Sequence, residues 1–147
     1  MDVHEIVSFE RLAGKHADVL RSVTASSKAA TIFQTWEWTE AWWRHYGGGK
    51  QLRALCFTEN GVSVGFSALF VASLPFPLRT VRFIGAGASD YLDLIAAPGS
   101  EDVVAEAFRA YQRDNLRRWD CIDLQDVTSV PRLCSNRVRQ INRALRK

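Results

Sequence analysis

Four of the chain's five tryptophans lie between Trp36 and Trp43, and three glycines follow from Gly47, in the segment "FQTWEWTEAWWRHYGGG". Helical geometry, at about 100° per residue, spreads the aromatic side chains over about 160–180° of the helix surface. A surface helix usually buries a stripe of about 100°. The segment therefore predicts a helix, capped by Thr35 and ended by Gly47, that must pack against more than one neighbouring element.

The two edges of this aromatic arc have different expected neighbours. Trp38, Trp42 and Tyr46 are expected to face a sheet. Trp36 and Trp43 form the other edge, which is left for another helix, a ligand or a partner chain, and both are candidate substrate-binding residues. The alternative is that the whole arc belongs to one hydrophobic core.

Length and composition indicate a single globular domain spanning residues 1–147. The chain is 47% hydrophobic and 24% charged, as is typical of globular proteins. Hydrophobic periodicity, with Asn60-Gly61 between two apolar runs, predicts an α+β (mixed α/β) fold in which helices pack on a mostly antiparallel sheet. The predicted strands are about 3–8, 51–59, 62–73, 79–85, 90–97 and 121–127, with Pro75 and Pro77 as an interruption; the predicted helices are about 9–24 with Gly14 as a weak point, 36–46, 100–119 and 135–147.

The net charge of +3 is concentrated at one end of the sequence. Residues 132–147 hold six cations and no acid, and Val138, Ile141 and Leu145 give this segment the apolar stripe of an amphipathic helix. Without those six cations, the chain has 13 basic and 16 acidic residues. A nucleic-acid-binding body is therefore not expected, and the basic helix is a solvated face or the start of a further domain.

The segment Phe33, Gln34, Thr35 and Trp38 resembles the signature of FemAB-like proteins. With "WWRHYGGGKQLRALCF", the Asn-Gly hairpin and "VRFIGAGASDYLDLIAAPG", the chain from about 33 to 127 resembles the CelD-type proteins linked with bacterial cellulose and exopolysaccharide synthesis. That family belongs to the GNAT acyltransferase superfamily and resembles two GNAT-like halves in tandem. The resemblance implies a GNAT-like fold for this chain. It covers the family's first half, whereas such proteins keep the acyl-CoA site in the second half.

The residues at the expected cofactor site argue against acyl-CoA. A GNAT domain holds the pyrophosphate of CoA on backbone N–H groups at a helix N-terminus. The corresponding turn here, "AAPGSED", has one glycine, Ser100 is expected to cap the helix, and Glu101 and Asp102 place negative charge where the pyrophosphate belongs. No cofactor is therefore expected. Acetyl-CoA or another acyl-CoA belongs to the alternative in which the chain is an active enzyme.

The glycine-rich segment "GAGASDYLD" precedes a cluster of polar residues. A tight turn with positive φ at Gly85 or Gly87 is expected, because a phosphate-binding loop leads into a helix and this one leads into a predicted strand. In that strand two carboxylates and a phenol could bind sugar hydroxyls or an amine, and the alternative is simple capping of the turn. The candidate substrate-binding residues of this cluster are Ser89, Asp90, Tyr91 and Asp93.

Other catalytic signals are weak. The histidines and cysteines lack the spacing of a metal site or a disulfide framework, which favours a reducing, cytoplasmic setting. No apolar run is long enough to span a membrane, and no motif of a catalytic nucleophile is present. The residues concerned are His4, His16, His45, Cys56, Cys121 and Cys134.

Three functions remain open from the sequence. The first is a GNAT-like domain that resembles the N-terminal half of CelD/FemAB-type proteins and binds a sugar or amine substrate, or a second GNAT half, without its own acyl-CoA site. The second is a small N-acyltransferase that uses acyl-CoA. The third is a non-catalytic module that forms a homodimer. The catalytic residues, the acceptor and the pathway are not specified by the sequence.

Overall fold

The computed structural model describes residues 1–73 and 78–124. Predictions for Pro75, Pro77 and the segment from residue 125 onward, including the basic helix, lie outside these residues. The helical elements are α1 (Phe9–Arg11), a π-helical turn (Leu12–His16), α2 (Ala17–Ser26), a 3-10 turn (Ile32–Gln34), α3 (Trp36–Tyr46) and α4 (Glu101–Asp114); the strands are β1 (Asp2–Ile6), β2 (Gln51–Leu52), β3 (Ala54–Glu59), β4 (Val62–Ser67), β5 (Leu69–Ser73), β6 (Arg79–Phe83), β7 (Ile95–Ala96) and β8 (Cys121–Ile122).

The strands form two four-stranded sheets, with the orders β1-β3-β4-β7 and β2-β5-β6-β8. All pairs are antiparallel except β6 and β8, which run parallel. Two further backbone bonds extend the pairings in the second sheet, since Arg53 N–H donates to Leu69 O beyond β2 and Ile84 N–H donates to Ala68 O beyond β6, both at 2.9 Å. The predicted mixed fold with a mostly antiparallel sheet is confirmed.

The β3–β4 hairpin turns at Asn60-Gly61, as the sequence predicts. Asn60 has φ +50° and Gly61 has φ +77°, a pair of left-handed residues that matches the twist of the two strands. The register opposes Glu59 to Val62. This turn sets the register of the adjoining residues, and the register then shifts between Phe57 and Thr58.

Helices cover both faces of the sheets, and two apolar clusters result. Leu55 and Phe57 of β3 pack in the cluster that contains α4, where Phe57 meets Phe108 edge to face at 6.5 Å. Ala54 and Cys56 of the same strand pack in the cluster that contains α2 and α3. Because successive residues of a strand point to opposite faces, β3 is buried on both sides.

The first helical segment bends at Gly14, which the sequence indicates as a weak point. Gly14 has non-helical backbone angles of φ −82° and ψ −109° within the π-helical turn. Ser8 caps α1 by accepting a hydrogen bond from Arg11 N–H. The bend joins α1 to α2 at an angle that places Phe9 against the tryptophan-rich helix.

The tryptophan-rich helix α3 has the predicted ends, but its buried face differs from the prediction. Thr35 Oγ1 accepts a hydrogen bond from Trp38 N–H, and Gly47 follows the last turn. Trp36 and Trp42 are 4% and 5% exposed, and Tyr46 is 56% exposed. The expectation that Tyr46 faces the sheet is therefore wrong, because the helix turns its Trp36–Thr39–Trp42 side inward.

Two predicted elements are shorter than expected. The predicted strand at 90–97 is wrong except for β7, since residues 85–94 form turns and irregular backbone that breaks the strand. Helix α4 ends at Asp114 rather than near Trp119, and Asn115 follows with φ −111° and ψ +16°. Among the helices of residues 1–73 and 78–124, none has both the length and the apolar composition of a membrane-spanning segment.

Candidate functional site

The loop after β6 begins with two tight turns. Ala86 N–H donates to Phe83 O at 3.1 Å, and Ala88 N–H donates to Gly85 O at 3.0 Å. Gly85 and Gly87 have φ +106° and +84°, so the prediction of a turn that requires positive φ is confirmed. Gly85 is also needed for space, because a Cβ there would lie 2.7 Å from the Ser89 side-chain oxygen.

Ser89 fixes this loop to helix α3. Its hydroxyl oxygen accepts a hydrogen bond of 2.8 Å from the indole N–H of Trp38. Ser89 is buried, and Trp38 packs edge to face against Phe33 at 5.3 Å. The part-buried indole donor is thus satisfied by a residue 51 positions away in the sequence.

The other members of the predicted polar cluster do not converge. Asp93 is buried, and its carboxylate accepts a hydrogen bond of 2.7 Å from Leu94 N–H. Asp90 is exposed, and Tyr91 is exposed with φ +59°. The predicted strand geometry, in which Tyr91 and Asp93 share one face, is therefore absent, while their role in substrate binding stays a prediction.

Gln34 anchors the far end of the loop. Its side-chain oxygen accepts a hydrogen bond of 2.7 Å from Thr31 N–H, and its amide nitrogen donates to Asp93 O at 3.0 Å. The sequence singles out Gln34 through the FemAB-like resemblance, without assigning it a role. In the structure it connects the 3-10 turn before α3 to the irregular backbone just before β7.

The Trp36–Trp43 edge is covered by the N-terminal helix. The ring of Phe9 stacks on Trp36 at 5.9 Å and on Trp43 at 6.0 Å between centroids. Arg21 lies 5.9 Å from the Trp36 ring. Of the neighbours considered for this edge, a helix is the one observed, which favours the interpretation of the tryptophans as core. The two residues do not join the Ser89–Asp93 segment in one site.

The N-terminus of α4 carries its own carboxylate. Glu101 Oε2 accepts a hydrogen bond of 2.8 Å from Gly99 N–H, and Ser100 N–H donates to Ala97 O at 3.0 Å. Ser100 occupies the cap position, but its side chain makes no capping hydrogen bond, so the expected role of its hydroxyl is wrong. Glu101 supplies the acceptor at this helix end instead.

An open cleft of about 380 Å³ lies beside the C-terminal end of α3. Its wall is aromatic, its two cationic residues are Lys50 and Arg82, and small residues of the glycine-rich loop form its rim. Sequence reasoning missed this cleft, because the residues come from α3, β5, β6 and two loops. The lining residues are Trp42, Tyr46, Lys50, Phe70, Ala72, Arg82, Ala86, Gly87 and Ala88.

Thiol and metal chemistry find little support. Burial raises the pKa of the Cys56 thiol, against a smaller lowering by its hydrogen bond to Ser63, and burial also raises the pKa of Cys121. Neither is therefore a ready thiolate nucleophile. The described part of the chain contains no group of three or more histidine, cysteine, aspartate or glutamate side chains that could hold a metal ion.

Known proteins resemble this chain in structure rather than in sequence. No protein-family model matches it. No curated protein matches it significantly. The ribosomal-protein-alanine N-acetyltransferase of Brucella melitensis biovar Abortus 2308 is 16% identical, with a TM-score of 0.53, over 99% of this chain and 91% of that one.

Two further solved structures show the same likeness. An aminoglycoside acetyltransferase from an uncultured soil metagenomic sample is 16% identical, with a TM-score of 0.54, over 88% of this chain and 82% of that one. A probable acetyltransferase is 10% identical, with a TM-score of 0.50, over 99% and 88%. At these identities the likeness establishes the fold alone, and the chain has the GNAT acetyltransferase fold.

Proposed function

We propose that this chain is a GNAT-fold binding domain that holds a small-molecule substrate or a partner domain and lacks its own acyl-CoA site. The observation that carries the proposal is the hydrogen bond between Gly99 N–H and Glu101. A CoA pyrophosphate needs backbone donors at this helix end. Here one donor already serves a carboxylate of the same helix, Ser100 N–H serves Ala97 O, and Pro98 has no N–H.

Charge at the helix end supports the same proposal. Glu101 and Asp102 both lie in the first turn of α4. Their negative charge complements the helix dipole and repels a pyrophosphate. The residues of this loop therefore do not fit CoA, and no acyl-transfer step is assigned to it.

The proposal also includes a relationship to the CelD/FemAB-type proteins, because the segment 33–127 resembles them. Through that resemblance it includes a link to cellulose, exopolysaccharide or cell-envelope synthesis.

Titration of the full chain with acetyl-CoA tests this proposal. We expect no binding at micromolar concentration by calorimetry, and no change of the backbone amide signals of residues 97–103 in nuclear magnetic resonance spectra. The Glu101→Gln variant keeps an acceptor oxygen for Gly99 N–H but loses the negative charge. It therefore separates repulsion of the pyrophosphate by charge from occupation of the Gly99 amide. Micromolar binding to the wild-type chain with signal changes at Gly99 and Ser100 would overturn the proposal.

A small N-acyltransferase is the second candidate. The match over 99% of this chain and 91% of the Brucella acetyltransferase supports it, because that structure is matched along nearly its whole length. This candidate requires acyl-CoA to bind away from the Gly99–Glu101 contact. Acetyl-CoA binding that leaves the amides of residues 97–103 unchanged is the result that favours it.

A further inference from the structure

The cleft beside α3 is defined by Lys50, the aromatic residues Trp42, Tyr46 and Phe70, and Arg82, and is called here the Lys50 cleft. Its volume of about 380 Å³ falls in the range of sites that hold small molecules. It is larger than the space needed for ordered water alone. The cleft is therefore large enough to admit a ligand with a fused ring.

Its wall presents aromatic rings at stacking distances. The Trp42 ring lies 5.1 Å from the Phe70 ring at an angle of 31°, and 5.5 Å from the Tyr46 ring at 46°. Trp42 and Phe70 are both buried and form the floor of the cleft, whereas Tyr46 is an exposed large side chain. Rings arranged in this way favour a flat apolar body over a branched one.

Lys50 already supplies a cation to this wall. Its Nζ atom lies 6.0 Å from the Trp42 ring and 5.9 Å from the Phe70 ring. It also donates a hydrogen bond of 2.5 Å to Tyr46 O, at the end of helix α3. An amine ligand would thus compete with an ammonium group of the protein for the same rings and be repelled by it.

Arg82 adds a second cation with unused donor capacity. Its Nη2 donates to Asp123 Oδ2 at 2.7 Å, whereas its buried Nε has no hydrogen-bond partner within the described residues. A buried donor without an acceptor is unfavourable. An oxygen atom of an anion in the cleft satisfies this donor when the guanidinium group turns toward it.

The glycine-rich loop leaves the cleft open. Gly87 has φ +84° and lies at the rim between Ala86 and Ala88. A Cβ at Gly87 would meet nothing within 4 Å, so glycine is required there by the backbone conformation and not by crowding. Two alanines and a glycine give the ligand access past this rim.

We propose that the Lys50 cleft binds a small planar aromatic carboxylate. Its ring lies against Tyr46, over the floor formed by Trp42 and Phe70, and its carboxylate is bound by Lys50 and Arg82. The assignment rests on the proposed binding function and names the ligand class. It also differs from the sugar or amine expected from the sequence, because the ammonium group of Lys50 disfavours an amine and the hydrogen-bonding demand of Arg82 favours an anion.

Three matched probes test the assignment: 2-naphthoate, the neutral 2-naphthamide and the cationic 2-naphthylmethylamine. Binding is measured by amide and indole signal changes of the full chain, with Gly87 and Trp42 as reporters. We expect naphthoate to bind about ten-fold more tightly than the amide, as one charge-assisted contact implies. The amine is expected to bind most weakly.

Variants of Lys50 test whether its positive charge binds the carboxylate. Lys50→Met keeps the aliphatic stem and is expected to weaken naphthoate by about ten-fold, whereas Lys50→Arg retains binding. Lys28→Met, at an exposed lysine in the loop after α2, is the matched control and leaves binding unchanged. Tyr46→Ala, at an exposed site, provides a second variant that weakens all three probes if the aromatic wall takes part.

Equal affinity for the three probes, tightest binding of the amine, or signal changes away from Gly87 and Trp42 would overturn the assignment. Loss of binding in Lys28→Met as well as Lys50→Met would overturn it too. Failure of the ligand assignment is distinct from failure of the proposed function. The proposed function is tested by titration with acetyl-CoA and by the amide signals of residues 97–103. Acetyl-CoA signals confined to Gly87 and Trp42 would favour the acyltransferase candidate, which requires acyl-CoA to bind away from the Gly99–Glu101 contact.

Discussion

Single side chains in this protein connect segments that are far apart in the sequence. The indole N–H of Trp38 meets Ser89 at 2.8 Å, and Gln34 meets Asp93 O at 3.0 Å. Both contacts bind the loop that replaces a continuous strand between β6 and β7. The sequence identifies these polar residues, but it cannot pair them, because pairing depends on how α3 packs on the sheet.

Ser89→Ala tests the first of these contacts. Loss of the acceptor leaves the indole donor of Trp38 without its partner, and we expect about 1–3 kcal/mol lower stability. Chemical denaturation measures the difference, with Ser73→Ala, at the exposed end of β5, as the control. A change for Ser89→Ala no larger than that of the control would mean that the loop is not held by this bond.

Replacement of the tryptophans tests the packing of α3. From the sequence, a large loss of stability is expected for Trp42→Ala, and a smaller one at Trp36 and Trp43 if their edge faces a partner. Because Trp36 is 4% and Trp42 is 5% exposed, we now expect about 3–5 kcal/mol for both, as for other emptied core aromatic sites. Trp43→Ala, at a half-buried residue, is expected to cost less. Chemical denaturation of the three variants measures the loss of stability, and equal losses at all three positions would contradict this order.

At the scale of elements, the sequence predicts the parts whose signals are local. Thr35 and Gly47 define α3, and Asn60-Gly61 defines the β3–β4 hairpin, because caps and turns depend on neighbouring residues. The strand predicted at 90–97 is reduced to β7, although its residues alternate, because Ser89 and Asp93 are drawn into contacts with distant residues. The Lys50 cleft could not be predicted from the sequence either, because its cations and aromatic rings come from separate elements.

An ion-pair group joins β1 to the segment after α4. Arg118 donates to both oxygens of Glu5 at 2.7 Å, and Arg53 lies 3.2 Å from the same carboxylate. Burial raises the pKa of Glu5, but the hydrogen bond and charge of Arg118, with the charge of Arg53, outweigh it and the pKa falls below 4.5. Burial and the nearby Glu5 carboxylate raise the pKa of Tyr111 to about 12.

Low pH should remove the stabilisation that the Glu5–Arg118–Arg53 ion-pair group gives to the fold. A carboxylate with a lowered pKa stabilises the fold above its unfolded pKa, and this contribution is lost as the pH falls through the folded value. Glu5→Gln is therefore expected to lower stability near pH 7 by on the order of 1 kcal/mol, since Arg118 is partly exposed. The difference from wild type should shrink below the usual pKa of 4.5. Denaturation at several pH values measures it, and a difference independent of pH would exclude the ionic origin.

At the scale of the whole molecule, the fold is established and the assembly is a proposal. The resemblance of the sequence to tandem CelD-type proteins suggests a homodimer or a second GNAT half. Phe9 stacks on both Trp36 and Trp43, so the aromatic edge first considered for that contact is already covered within the chain. Exposed large side chains elsewhere, including Tyr46, Tyr91 and Leu116, are single residues of a kind that monomers also carry.

The homodimer remains testable by mass. The proposal from the sequence is a two-fold dimer, and its contact must use another surface because Phe9 covers the Trp36–Trp43 edge. Light scattering is then expected to give twice the chain mass of 16.6 kDa, and Trp43→Ala, provided it folds, leaves that mass unchanged. A mass of one chain over a wide concentration range ends the proposal. A dimer that Trp43→Ala dissociates would instead restore the edge as the interface and require Phe9 to move away from it, because its ring now occupies that surface.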